Sequence, residues 1–456
     1  MTIKLRLTIL SFLQFFVWGA WLITIANYWF GAKGWGSAEF GAIFSTLGFS
    51  SLITPALTGI IADKYVHAER LYGALHIMGG IILFFIPMVG DPFTFFWVMF
   101  AAMLCYMPTI SLSNSIAYTI LKGNGYDVVK VFPPIRVWGT IGFIAAMWVT
   151  NLTGNKASGN MFVIAAVAAV VLGIYSFSMP KCPPQKLIKA SATFAEKTGL
   201  SAFTLFKNSK MALFLLFSMF LGAALQLTNM YGDVFLSEYA KVPDYYNSFV
   251  VENSTIILSI SQVSETLFIL AIPFFLKRFG IKQVMLISLF AWVVRFALFS
   301  YGNPADGLWM IILSCIVYGM AFDFFNVSGS LYVESTTKPN IRNSAQGLFM
   351  MMTNGVGAVL GSIVSGIVIE NFFTYKFTTL PALLTHLGTT ANNGAVVNIL
   401  KYNKVLPNGT LQDAVYLKDW QPIWLCFALY ALVIAVLFGI FFRHKHDAAA
   451  VQVVAH

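Results

Sequence analysis

The sequence predicts an all-α integral membrane protein with twelve transmembrane helices in two six-helix halves. Three observations carry that prediction. Apolar residues make up 58% of the 456-residue chain and charged residues only 10%, against about 25% in soluble domains, and mean hydropathy is +0.77. Apolar runs of about 20 residues, long enough to cross a bilayer core, recur along the whole chain. A polar, lysine-rich interval divides those runs six from six.

The runs lie near 8–30, 40–62, 71–89, 93–121, 136–154, 160–179, 211–236, 253–276, 283–301, 306–334, 343–370 and 421–443. The start, MTIKLRLTILSFLQFFVWGAWL, has the basic-then-apolar form of a signal peptide. Its apolar run continues past residue 22 without an A-x-A site, so it reads as a retained first helix. Residues 1–180 form the first half. Residues 181–210 form a linker with Pro183-Pro184 and six lysines against one acid, and 211–443 form the second half. Within that half, 371–420 is a long polar segment with apolar clusters that would fold on the outer surface. Residues 444–456 are a tail.

Loop charge sets the expected orientation. With both termini inside, inner segments hold nineteen Lys/Arg and outer ones seven, with Arg136 and Arg295 inside spans. Acids run the other way, ten outside and six inside, with two in spans. This inside-positive bias accounts for the formal net charge of +10 without nucleic acid. The chain has four cysteines and no C-x-x-C pair, so neither a disulfide framework nor a zinc site is indicated. Of six histidines only His76 lies in a span. H-E-x-x-H and G-x-S-x-G are absent, which argues against an enzyme.

Two acids occupy apolar spans: Glu265 in ILSISQVSETLFILAIPFFL and Asp323 in VYGMAFDFFNVSGS. A charge at bilayer depth costs about 2.5–3.5 kcal/mol on the insertion scale, so such groups face the bundle interior and mark solute or proton paths. Arg136, in FPPIRVWGTIGF, is either a third buried charge or a topology charge at the inner mouth. Arg295 is a candidate structural partner for Asp323.

Helical spacing places polar and aromatic residues on shared faces. Arg136, Thr140 and Phe143 follow i, i+4, i+7. Gln226 and Asn229 are three apart, as are Gln262 and Glu265. Tyr318, Phe322 and Asn326 form a stripe with Asp323 on its shoulder, and Gln14, Trp18 and Trp21 form another, the tryptophans as packing or interfacial residues. Carboxamides match the hydrogen-bonding edge of a base, carboxylates accept from hydroxyls, and rings stack on a heterocycle or cover a sugar. The lining suits a neutral, polar, part-aromatic solute.

Twelve spans around a basic central loop resemble the major facilitator layout. The turn GIIADKYVHAER after the second span resembles that superfamily's loop motif, with Gly59 for close helix contact, then Asp63, Lys64 and Arg70. More specifically, the chain resembles the nucleoside:proton symporters of that superfamily. The resemblance is carried by ILSFLQFFVWGAWL (9–22), GIIADK (59–64), FPPIRVWGTIGF (132–143), LFSMFLGAALQLTNMYG (216–232), ISQVSETLFILAIPFFL (260–276), YGMAFDFFNVSGS (318–330) and SAQGLFMMMTNG (344–355). It weakens at 371–420, which looks longer than the family pattern.

The resemblance implies proton-driven uptake of purine and pyrimidine nucleosides across a bacterial inner membrane by alternating access of the two halves. It also implies no cofactor beyond the proton gradient and a monomer in the lipid bilayer. It assigns substrate binding to Arg136, Thr140, Phe143, Gln226, Asn229, Gln262, Glu265, Tyr318, Phe322, Asp323 and Asn326. Proton coupling would fall to Glu265, Asp323 and Arg136, and gating to Gly59, Asp63, Lys64 and Arg70. The residues alone leave a proton-coupled sugar or polyol symporter of the same fold as the alternative.

Overall fold

The computed structural model describes residues 2–184, 200–337, 342–401 and 403–444. Residues 185–199 of the linker and the tail from 445 lie outside the described residues, as do the side chains of Asp63 and Lys64.

Each expected span falls on helix. In the first half these are α1 (Ile3–Gly19), α2 (Ser37–Lys64), α3 (Ala68–Phe85), α4 (Pro92–Gly123), α5 (Val128–Leu152) and α6 (Asn160–Ser176). In the second they are α7 (Ser209–Glu238), α8 (Ser254–Tyr301), α9 (Leu308–Ala321), α10 (Asp323–Thr336), α11 (Arg342–Met350), α12 (Ala358–Phe372) and a last helix, Trp420–Phe441. Eight helical stretches among the described residues are long and apolar enough to cross a membrane.

Three departures from uniform helix shape the interior. The 48-residue α8 is two membrane helices that meet at Gly280, whose φ of 77° lies where side chains are strained and glycine is not. The first expected span ends as helix at Gly19 and continues as a wide turn over Asn27–Ala32. The tenth is broken at Phe322 (φ −95°, ψ −54°), which separates α9 from α10. Irregular backbone survives at membrane depth only where its polar groups find partners. Here the Ser288 hydroxyl donates to the Ala321 carbonyl.

Small residues let the helices close on one another, as membrane packing favours. A Cβ on Gly142 would lie 2.1 Å from the Phe12 carbonyl oxygen, so α5 crosses α1 almost backbone to backbone. Gly222 does the same for α7 against Thr353, at 1.9 Å. The expected close contact at Gly59 does not occur, because a Cβ there would meet nothing within 4 Å. Its neighbours Thr58 and Ala62 are buried, so Gly59 lies on the open face of a packed helix end.

Segment 371–420 is folded. Strand β1 (Thr374–Thr379) pairs antiparallel with β2 (Thr410–Lys418), with Thr374 opposite Lys418 and Phe377 opposite Val415. Between them lie the short helices Leu380–Leu387 and Gly394–Leu400, and Leu383, Leu411, Val415 and Leu417 form a small separate core. We call this the hairpin end of the bundle, and the opposite end the linker end.

Candidate functional site

The break at Phe322 decides where the acids meet. It makes Asp323 the first residue of α10, turned toward the first membrane helix of α8. That helix presses on α9, with the Ser264 hydroxyl donating to the Ile316 carbonyl at 2.5 Å. Glu265 follows Ser264, and its carboxyl lies within hydrogen-bonding reach of Asp323. Asp323 is 7% exposed. From the other half, Arg136 on α5 sits close enough to act electrostatically on both acids. Its guanidinium stacks over the Phe15 ring at 3.9 Å, a contact that favours the cation. Two acids and one base from opposite halves therefore share one interior site.

Other expected residues cluster beside them. Asn229, Gln262 and Tyr318 line a cavity with Ile23 and Met147 of the first half and Thr228, Leu258, Ser261 and Arg295 of the second. Tyr318 is within hydrogen-bonding reach of Gln262 and feels the charge of both acids. Gln226 is buried one turn before Asn229. Asn326 accompanies Phe322 across the break, its amide donating to the Phe322 carbonyl at 3.0 Å. Phe322 and Thr140 are half-buried, Thr140 one turn beyond Arg136. Phe143 is buried with its ring edge-on to Trp18 at 6.4 Å, so packing takes most of its surface.

Three buried oxygens here have no partner among the described residues: Gln226 Oε1, Asp323 Oδ2 and Asn326 Oδ1. Buried polar atoms are otherwise almost always paired. These atoms therefore offer hydrogen-bonding capacity to a guest.

Several expectations are corrected. Arg295 does not pair with Asp323. It donates to the Ser314 carbonyl at 2.7 Å and to Ser261 and Thr228 at 3.4 Å. Gln14 lies within the first half, where its amide oxygen accepts from Tyr72 at 2.5 Å and contacts His76 at 2.8 Å while its nitrogen donates to Thr109 at 3.0 Å. Trp21 stacks on Phe162, as a packing residue should. Arg70 is exposed at the linker end.

Spacing also missed a further buried acid beyond Glu265 and Asp323. Asp233, counted above with the outer loops, is 0% exposed. It accepts from Thr255 at 3.0 Å and from Asn27 of the other half, and lies near the positive charge of Lys156. Its position inside the seventh apolar run was the available signal.

The family model described as "Nucleoside H+ symporter" matches residues 1–447. The chain is 45% identical to the xanthosine permease of Escherichia coli (strain K12) over 448 residues, 98% of this chain and 97% of that one. It is equally identical to the nucleoside permease NupG of the same organism over 447 residues, with the same coverage. The crystal structure of the nucleoside transporter NupG superposes with a TM-score of 0.82 at 45% identity, covering 98% of this chain and all of that one. A bacterial homologue of the human lysosomal transporter Spinster, 12% identical, shares the fold at a TM-score of 0.65 over 99% of this chain and 96% of that one. With its major facilitator architecture and a match that runs nearly end to end, the chain belongs to the nucleoside H+ symporter family.

Proposed function

We propose that this protein carries nucleosides together with protons into the cell across a bacterial inner membrane, with both termini and the linker end in the cytoplasm. The observation that carries the reading is the juxtaposition of Glu265 and Asp323 with Arg136 of the other half. A hydrogen bond between two carboxyl groups needs a proton on one of them. That proton is the coupled one. When it leaves, two negative charges face the Arg136 guanidinium, and the interaction between the halves changes with the charge of the pair.

The base is oriented by the carboxamides of Gln226, Asn229 and Gln262, while Tyr318, Phe322 and the accessible edge of Phe143 cover it. The ribose hydroxyls take the acceptor oxygens of Asp323 and Asn326. Thr140 adds a hydroxyl beside Arg136. The two six-helix halves rock about this midplane site, driven by the proton gradient with no other cofactor.

The test is uptake of labelled uridine and adenosine into proteoliposomes with and without an inward proton gradient. The gradient is expected to drive accumulation in the wild type. Glu265→Gln or Asp323→Asn is expected to leave gradient-free exchange measurable while abolishing accumulation. Accumulation that persists in both variants sinks the coupling role, and competition by lactose or xylose but not adenosine favours a sugar carrier.

A further inference from the structure

Arg295 is a fully buried guanidinium, 0% exposed, whose contacts are all neutral. Its Nη1 donates to the Ser314 carbonyl and to Ser261, and its Nε to Thr228. Its plane lies over the rings of Tyr318 at 4.5 Å and Phe299 at 4.9 Å. Its Nη2 has no protein partner, and none of the contacts just named carries a negative charge. Removing a cation from water without a counter-charge is costly, and leaving one of its donors unmade adds to that cost.

Arg295 nevertheless lines the cavity between the halves, with Asn229, Gln262 and Tyr318. The free space there is about 10 Å³, enough for one water-sized atom. A guanidinium is donor-only. The matching group is therefore a single exocyclic acceptor, such as a carbonyl oxygen. An exocyclic amine would set donor against donor.

We infer that Arg295 is a specificity-determining residue that receives an exocyclic carbonyl oxygen of the nucleobase, so that oxo-bases bind more tightly than purines lacking one. The inference rests on the nucleoside reading above and names the base class that the same site prefers. Uracil and hypoxanthine nucleosides carry the required oxygen, and adenosine does not.

The test uses labelled adenosine as the tracer in proteoliposomes, with inosine and purine riboside as competitors. These two differ at C6, oxygen in one and hydrogen in the other, and at the adjoining N1, which carries a proton only in inosine. A charge-assisted hydrogen bond predicts that inosine competes at least about tenfold better in the wild type. In Arg295→Met that advantage is expected to vanish, and in Arg295→Lys to persist in part. Equal competition by the two nucleosides in the wild type overturns the inference without need of a variant. A full inosine advantage retained in Arg295→Met overturns it as well, leaving Arg295 as a structural hub. Failure of the wild type to take up adenosine at all is seen before any competitor is added, and counts against the nucleoside reading itself.

Discussion

A handful of side chains give this bundle both its chemistry and its shape. Glu265, Asp323 and Arg136 were legible as single letters, because a charge in an apolar run has no inexpensive place except the interior. Arg295 was equally visible, but its partners were not. Sequence offered Asp323, whereas the fold supplies a carbonyl, two hydroxyls and two ring faces. Glycines act at the same scale. A Cβ on Gly222 would sit 1.9 Å from the Thr353 carbonyl oxygen, a backbone atom that cannot step aside. Gly222→Ala is therefore expected to lower stability by about 1–3 kcal/mol through overpacking, read as an earlier thermal midpoint in detergent. Gly59→Ala, inside helix α2 where nothing lies within 4 Å, is the control expected to keep or raise the midpoint, since Ala favours helix over Gly by about 0.5–1 kcal/mol.

At the scale of elements, the helices followed from apolar run lengths, but their interruptions did not. The break at Phe322 and the wide turn at Met351–Gly357 need neighbours to satisfy freed backbone groups, and a one-dimensional pattern does not name neighbours. The hairpin is the clearest case, since β1 and β2 pair across thirty intervening residues that carry two helices of their own. Its attachment rests on Lys418. The amine lies 3.4 Å from Glu238 and 3.5 Å from the centroid of the Phe30 ring in the other half. Burial lowers the Lys418 ammonium from 10.5 to about 8, with Glu238 opposing the shift. In this window the unfolded chain keeps a proton that the folded one has released, so stability rises with pH from about 8 to 10.5. Lys418→Met removes that titration. The thermal midpoint of the wild type is expected to gain on the variant's as pH goes from 8 to 10, and parallel curves would show that Lys418 does not titrate there.

For the whole molecule, the described hydrogen bonds between the halves gather at the hairpin end. Trp148 donates to Ser259 at 2.9 Å, Asn151 approaches Asn253 at 3.5 Å, and the Ala38 amide donates to Glu370 at 2.8 Å. Lys156 reaches the Glu252 carbonyl at 3.1 Å and Ser254 at 3.2 Å, and Asn27 donates to buried Asp233. These contacts hold the halves together on the hairpin side. Asp233→Asn removes the negative charge facing Lys156 and is expected to loosen that closure. Spin labels at Thr153→Cys and Phe249→Cys, one on each half, should then show a longer and broader distance distribution than in the wild type. An unchanged distribution would mean that Asp233 contributes nothing to closure.

Composition and run length by themselves determined a membrane-spanning helical bundle in two halves, because hydrophobic thickness is counted in residues and linker charge is read one letter at a time. The family motifs and the two interior acids were read in the same way, while Arg136 stayed open between a buried charge and a topology charge at the inner mouth. Only tertiary structure decided that Glu265 and Asp323 lie side by side, that Asp233 is buried, that Arg295 keeps a donor without a described partner, and that hydrogen bonds between the halves gather at one end. Those facts depend on distances between residues far apart in the chain, which helix crossing angles and backbone breaks set and periodicity does not encode.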